Sequence, residues 1–158
     1  MVKKVKDFMN KNVICFSPED SIFKVVETFS KKQISGAPVV ENGNLVGIIS
    51  SSDITKTLNL EILSKAPLII PCVEHLFFHL VSLTKEMKMV RERLKILRAE
   101  KVKEIMNKKP KTISPEDSIY DAAKLMNKHD INRLPVVKNN KLVGIITRQD
   151  IINSLIRG

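Results

Sequence analysis

Tryptophan is absent from this 158-residue chain, tyrosine occurs once, and aromatic residues make up only 4% of it. Proteins that hold single-stranded nucleic acid stack bases on aromatic side chains, so that class starts weak. Glycine is scarce at five residues, and no glycine-rich phosphate loop is present. The two cysteines, Cys15 and Cys72, have no CxxC spacing. They read as two reduced thiols rather than a disulfide framework or zinc ribbon. No apolar run reaches the length of a membrane span, and LIIPCVEHLFFHLVSL is broken by Pro71, Glu74, His75 and His79. The opening MVKKVKDFMN has no apolar signal region, so a cytoplasmic location is expected. Acidic residues are also few, 17 against 27 Lys and Arg, for a net charge of +10. Such a field attracts anions without choosing among nucleotides, nucleic acid and acidic proteins.

What is present is a repeat. A shift of 97 positions aligns Val5–Thr55 with Val102–Ile152 without a gap, and 24 of the 51 pairs are identical. SPEDSI stands at Ser17–Ile22 and Ser114–Ile119, PVV at Pro38–Val40 and Pro135–Val137. Each copy begins with a short extended piece, Val13–Phe16 or Lys111–Ile113. SPED then predicts a helix start, with Ser17 as cap, Pro18 in the first turn and Asp20 completing a capping box. Ile22, Val25, Val26 and Phe29 share one helical face, as do Ile119, Ala122, Ala123 and Met126. A strand at Pro38, a hairpin turn at Asn42-Gly43 or Asn139-Asn140, the apolar strand LVGII and a last helix near Asp53 or Asp150 complete the unit. The order is β-α-β-β-α, twice. One unit alone is too small to bury much surface, so two are expected to pack with pseudo-twofold symmetry. The boundaries read as repeat 1 over 1–60, an intervening segment over 61–101 and repeat 2 over 102–158.

The most suggestive residues close each LVGII strand. Ser50 precedes Asp53 by three, and Thr147 precedes Asp150 by three. A hydroxyl at a strand-to-helix junction stands among free backbone N–H groups, a natural place for phosphate. A carboxylate accepts hydrogen bonds and donates none at neutral pH, which suits the hydroxyls of a ribose. The same spacing is also a plain capping box that needs no ligand.

The ordered set of SPEDSI, helix, PVV, hairpin and LVGII[ST]xxD, written twice, resembles the CBS domain, and the tandem resembles a Bateman module. The resemblance covers both repeats and leaves the middle unmatched. It implies an α+β pair that dimerises into a disc and binds AMP, ADP, ATP or S-adenosylmethionine in clefts shared by the repeats. It implies a regulatory ligand rather than a cofactor, and no enzymatic role. By that resemblance, one cleft combines Ile14, Cys15, Ser35 and Gly36 with Thr147 and Asp150. The other combines Lys111, Thr112, Asn132 and Arg133 with Ser50 and Asp53. The aspartates take the ribose, and Ser50 and Thr147 the phosphate. Arg133 resembles the family's phosphate-contacting arginine, its counterpart Gly36 cannot do that job, and Arg148 is a second basic candidate. The alternatives are a structural dimer with empty clefts and a nucleic-acid binder using the basic stretch Thr84–Lys103, which holds eight Lys and Arg against three Glu.

The middle departs from the family. Val73, Leu76, Leu80, Leu83, Met87, Val90, Leu94 and Leu97 alternate in steps of three and four, a heptad pattern. It predicts a long inserted helix over 72–98, ~40 Å long at ~1.5 Å per residue. A homodimer through that helix, through the CBS faces, or both is expected, with an effector protein as further partner. Cys72, His75 and His79 share a helical stripe, but without a fourth ligand they predict no metal site.

Overall fold

The computed structural model describes residues 2–57 and 101–156. The predicted helix over 72–98, its histidines and most of the basic stretch lie outside them. The described chain is mixed α and β, and its two repeats are built alike. In repeat 1, helix α1 (Ile22–Lys32) leads into the hairpin β1 (Gly36–Glu41) and β2 (Asn44–Ser50), then α2 (Ser51–Thr57). A short helix α3 (Val102–Ile105) opens the second half. There α4 (Ile119–His129), β3 (Arg133–Lys138), β4 (Lys141–Thr147) and α5 (Arg148–Ile156) follow. The hairpins turn where Asn42 and Gly43, or Asn139 and Asn140, adopt φ of 51°, 80°, 52° and 62°, the positive values a two-residue turn requires.

Two local expectations change. The first strand of each repeat is reduced to one parallel bridge, Phe16 to Val39 and Ile113 to Val136, because the SPED turn follows at once. SPED itself does not start the helix. Ser17 N–H donates to Asp20 Oδ2 at 2.9 Å and Asp20 N–H to the Ser17 carbonyl at 3.1 Å, which closes a separate turn. The helix starts at the following serine. Ser21 Oγ accepts from Lys24 N–H, and Ser118 Oγ accepts from Asp121 N–H while donating to its Oδ2 at 2.6 Å. A sequence with two serines four apart offers two caps, and the turn claims the first.

The SPED turn has another task. Residues 3–10 cross to repeat 2, and residues 101–107 cross to repeat 1, with matching hydrogen bonds. Val5 N–H donates to the Asp117 carbonyl and Lys6 N–H to that of Pro115; Val102 and Lys103 N–H do the same to Asp20 and Pro18. Asn10 exchanges both backbone bonds with Ile145, and Asn107 with Ile48. Each repeat's core is thus completed by the other's leader. Val102, fully buried, joins Phe16, Ile22, Val25, Phe29, Val39 and Ile49. Val5, fully buried, joins Ile113, Ile119, Met126, Leu134, Val136 and Ile146. The glycine of LVGII belongs to this crossing. A Cβ on Gly47 would stand 2.6 Å from Met106 Sδ and 3.0 Å from the Asn107 carbonyl oxygen, and one on Gly144 would meet Met9 and Asn10 likewise.

Exposed ion pairs edge the exchange: Lys103 with Glu19 at 2.6 Å, and Lys4 and Lys6 with Glu116 at 2.7 and 2.9 Å. The two ammonium groups hold the Glu116 carboxyl down at about 2, from its ordinary 4.5. A folded value below the unfolded one adds stability above pH 4.5 that is lost as pH falls toward 2. Solvent screening keeps it small. The melting temperature of Glu116→Gln is therefore expected slightly below that of the unmodified chain at pH 6, with the gap closing by pH 2. A gap that persists at pH 2 would show that the ion pairs are not its source.

Candidate functional site

The sheet order is β1-β2-β4-β3, and the two hairpins are joined by one residue pair, Asn44 with Lys141. The suspected ligand residues lie where β2 and β4 end. LVGII is apolar enough to stay extended and half-covered, and the hydroxyl residue after it ends the strand by capping a helix. Ser50 Oγ donates to Asp53 Oδ2 at 2.6 Å, Ser50 N–H reaches the same oxygen at 2.9 Å, and Asp53 N–H returns to Oγ at 3.3 Å. Thr147 and Asp150 repeat this at 2.7, 2.8 and 3.3 Å. Both boxes are half-buried. In each, the capping bonds go to Oδ2. A hydroxyl has one proton to give, and here it goes to the carboxylate. A phosphate contact by Ser50 or Thr147 therefore requires the hydroxyl to turn away from its aspartate.

Backbone pairing groups the neighbouring candidates by repeat. Gly36 lies opposite Ser50, and Ser51 N–H donates to the Ser35 carbonyl at 3.0 Å. Arg133 lies opposite Thr147, and Arg148 N–H donates to the Asn132 carbonyl at 3.0 Å. The Arg133 side chain then crosses the seam, where its Nη2 donates to Ser35 Oγ at 2.6 Å and its head covers Gly36. Ile14, Cys15, Lys111 and Thr112 lie along the outer sides of β1 and β3, beside the Phe16 and Ile113 bridges. Ile14 packs on the first core, while the Cys15 thiol is exposed and directed at the Val13 carbonyl, 3.6 Å away.

Arg148 is engaged elsewhere. Its Nη1 donates to Asn127 Oδ1 at 2.8 Å, its Nε to the Ile131 carbonyl at 3.2 Å and its Nη2 to the Met126 carbonyl at 3.4 Å. These contacts close the C-terminal end of α4, a favourable place for a cation. Two residues of the basic stretch are also occupied: Lys103 pairs with Glu19, and Lys101 Nζ donates to the Glu19 carbonyl at 3.1 Å. Among the described residues, no group of three or more His, Cys, Asp or Glu is placed to hold a metal ion, and no helix is long and apolar enough to cross a membrane. Sequence reasoning missed the crossing leaders and the Arg133–Ser35 contact. The one signal for the leaders is that the repeat alignment already begins at Val5 and Val102.

Two capped strand-to-helix junctions related by a local twofold, on paired hairpins, define a tandem two-repeat architecture. The CBS domain family model matches residues 5–60 and 102–157, and the chain belongs to that family. It is 41% identical to Uncharacterized protein MJ1426 of Methanocaldococcus jannaschii, over 96% of this chain and 90% of that one. Its structure matches that of protein MJ1225 from the same organism with a TM-score of 0.72 at 27% identity, covering 97% of this chain and 48% of the other. It also matches the CBS domain pair of protein MJ0100, solved with 5′-methylthioadenosine and S-adenosyl-L-methionine, with a TM-score of 0.69 at 25% identity over 99% and 98% of the two chains.

Proposed function

We propose that this CBS pair is a regulatory module, without catalytic activity of its own, that binds an adenosine compound at its seam and passes its ligand state to an effector protein. The observation that carries this reading is the duplicated box, in which each aspartate is held rigidly by its cap through Oδ2. The carboxylate of each then serves the ribose hydroxyls. Arg133 supplies the cation for a phosphate at the Ser50–Asp53 end, with Asn132, Ser35 and Gly36 around it. Ile14, Cys15, Lys111 and Thr112 border the base. The adenosine compounds bound by the MJ0100 pair support the ligand class. Candidates are AMP, ADP, ATP and S-adenosylmethionine.

Homodimerisation belongs to the same reading. Tyr120 on α4 and Leu155 and Ile156 on α5 are 73, 75 and 81% exposed, apolar side chains on the helices of repeat 2 that a second copy would cover.

Calorimetry with each of the four nucleosides and nucleotides tests the ligand. Saturable binding of at least one is expected. Failure of all four at millimolar concentration would leave the boxes as helix caps and nothing more.

A further inference from the structure

We infer that, among the described residues, the two clefts share one guanidinium, so that the chain holds one phosphorylated adenosine ligand tightly and not two. This deepens the proposed function and rests on it.

Gly36 and Arg133 occupy equivalent positions, separated by the 97-residue repeat. Residues at equivalent positions that touch each other must straddle the local twofold axis. They do touch: a Cβ built on Gly36 would fall 2.7 Å from Arg133 Cζ and closer still to Nη1. Asn44 and Lys141 are a second equivalent pair in contact, at the one bridge between the hairpins. Two such pairs fix the axis along the seam, and the Arg133 side chain crosses it to set the guanidinium over Gly36 on the repeat 1 side.

The arginine occupies the volume that a side chain at position 36 would need. Its backbone stands opposite Thr147 in repeat 2, while its head lies on Gly36, opposite Ser50 in repeat 1. One arginine therefore spans the seam, its backbone beside the Thr147 box and its head on the side of the Ser50 box. Two symmetric arginines would give each cleft its own, but position 36 is glycine. Arg148, the other arginine at this end, is spent on the end of α4. The Ser35 hydroxyl, 2.6 Å from Nη2, tilts the head toward repeat 1 and makes that cleft the preferred one for an anion. A guanidinium forks onto one phosphate with two of its donors. A second phosphate arriving at the axis meets a cation already neutralised and a like charge beside it. A neutral or cationic adenosine compound meets neither obstacle in the second cleft.

Calorimetry of the unmodified chain with AMP and with adenosine tests this, and needs no variant to fold. Adenosine is expected at two sites per chain. AMP is expected at one tight site, with any second site weaker by about tenfold or more, as befits loss of a charge-assisted hydrogen bond. Adenosine titrated into AMP-saturated protein is expected to fill one further site. In Arg133→Gln, AMP should lose its advantage and match adenosine. Two equal AMP sites in the unmodified chain, or an AMP isotherm unchanged by Arg133→Gln, overturns the inference while leaving the proposed function intact. If neither adenosine nor AMP binds, the inference falls, while the proposed function is decided by ADP, ATP and S-adenosylmethionine.

Discussion

Deleting residues 2–10 is expected to unfold the second repeat, although no residue of that repeat is touched. The deletion strips Val5, fully buried, from the second core. Burying a valine side chain contributes ~1.5–3 kcal/mol. It also removes the backbone bonds of residues 3–10 to Pro115, Asp117, Ile119 and Ile145, each with a net contribution of ~0.5–1.5 kcal/mol. The sum approaches ~5 kcal/mol or more, comparable with the whole stability of a small domain. Hydrogen exchange should show lost protection across β3, β4 and α4. Val102→Asp is the mirror experiment, because it places an unpaired charge among Phe16, Ile22 and Phe29 and is expected to disturb α1, β1 and β2 instead. Unchanged melting of the truncated chain would mean that the leaders are passengers on cores that close without them.

The second large effect concerns ligand. Asp53→Ala and Asp150→Ala are each expected to weaken a different site, by ~1–3 kcal/mol for lost hydrogen bonds to ribose. Folding should lose less, about 0.5–2 kcal/mol, through the cap each carboxylate completes. The comparison that matters is between the two measurements. Marked destabilisation with full ligand affinity would identify the boxes as caps alone. Loss of affinity with a well-folded chain would assign the carboxylates to the ligand. The double variant should then bind no adenosine compound in either cleft.

Much of this architecture is readable from local chemistry. Asn42-Gly43 and Asn139-Asn140 dictate their turns because few residue pairs tolerate two successive positive φ values, and LVGII is too uniformly apolar to lie outside a core. The SPED segment misleads because Ser17 and Ser21 are equally good caps, and the turn closed between Ser17 and Asp20 leaves the helix start to Ser21. The crossing of the leaders is illegible for a similar reason. Val5 and Val102 occupy equivalent positions of two similar repeats, and the alignment does not state which copy's core each one enters. At the candidate site, the strand ends and their caps follow from spacing, whereas the Arg133–Ser35 bond joins residues 98 apart. Composition cannot foresee that a missing side chain at position 36 is filled by its own counterpart.

The exchanged leaders also set an order of events at the ribosome. The first repeat's helix and hairpin emerge early, but Val102, which closes their core, is made only after residues 58–100. A small domain usually condenses as soon as its residues are free. Here the first half has to stay soluble while incomplete, and the second half is complete only because a segment made earlier has waited for it. Chain closure in general grows costlier only with the logarithm of the intervening length. The two halves cannot be separated, shuffled or inherited one at a time. The unit that evolution can move between proteins is the pair.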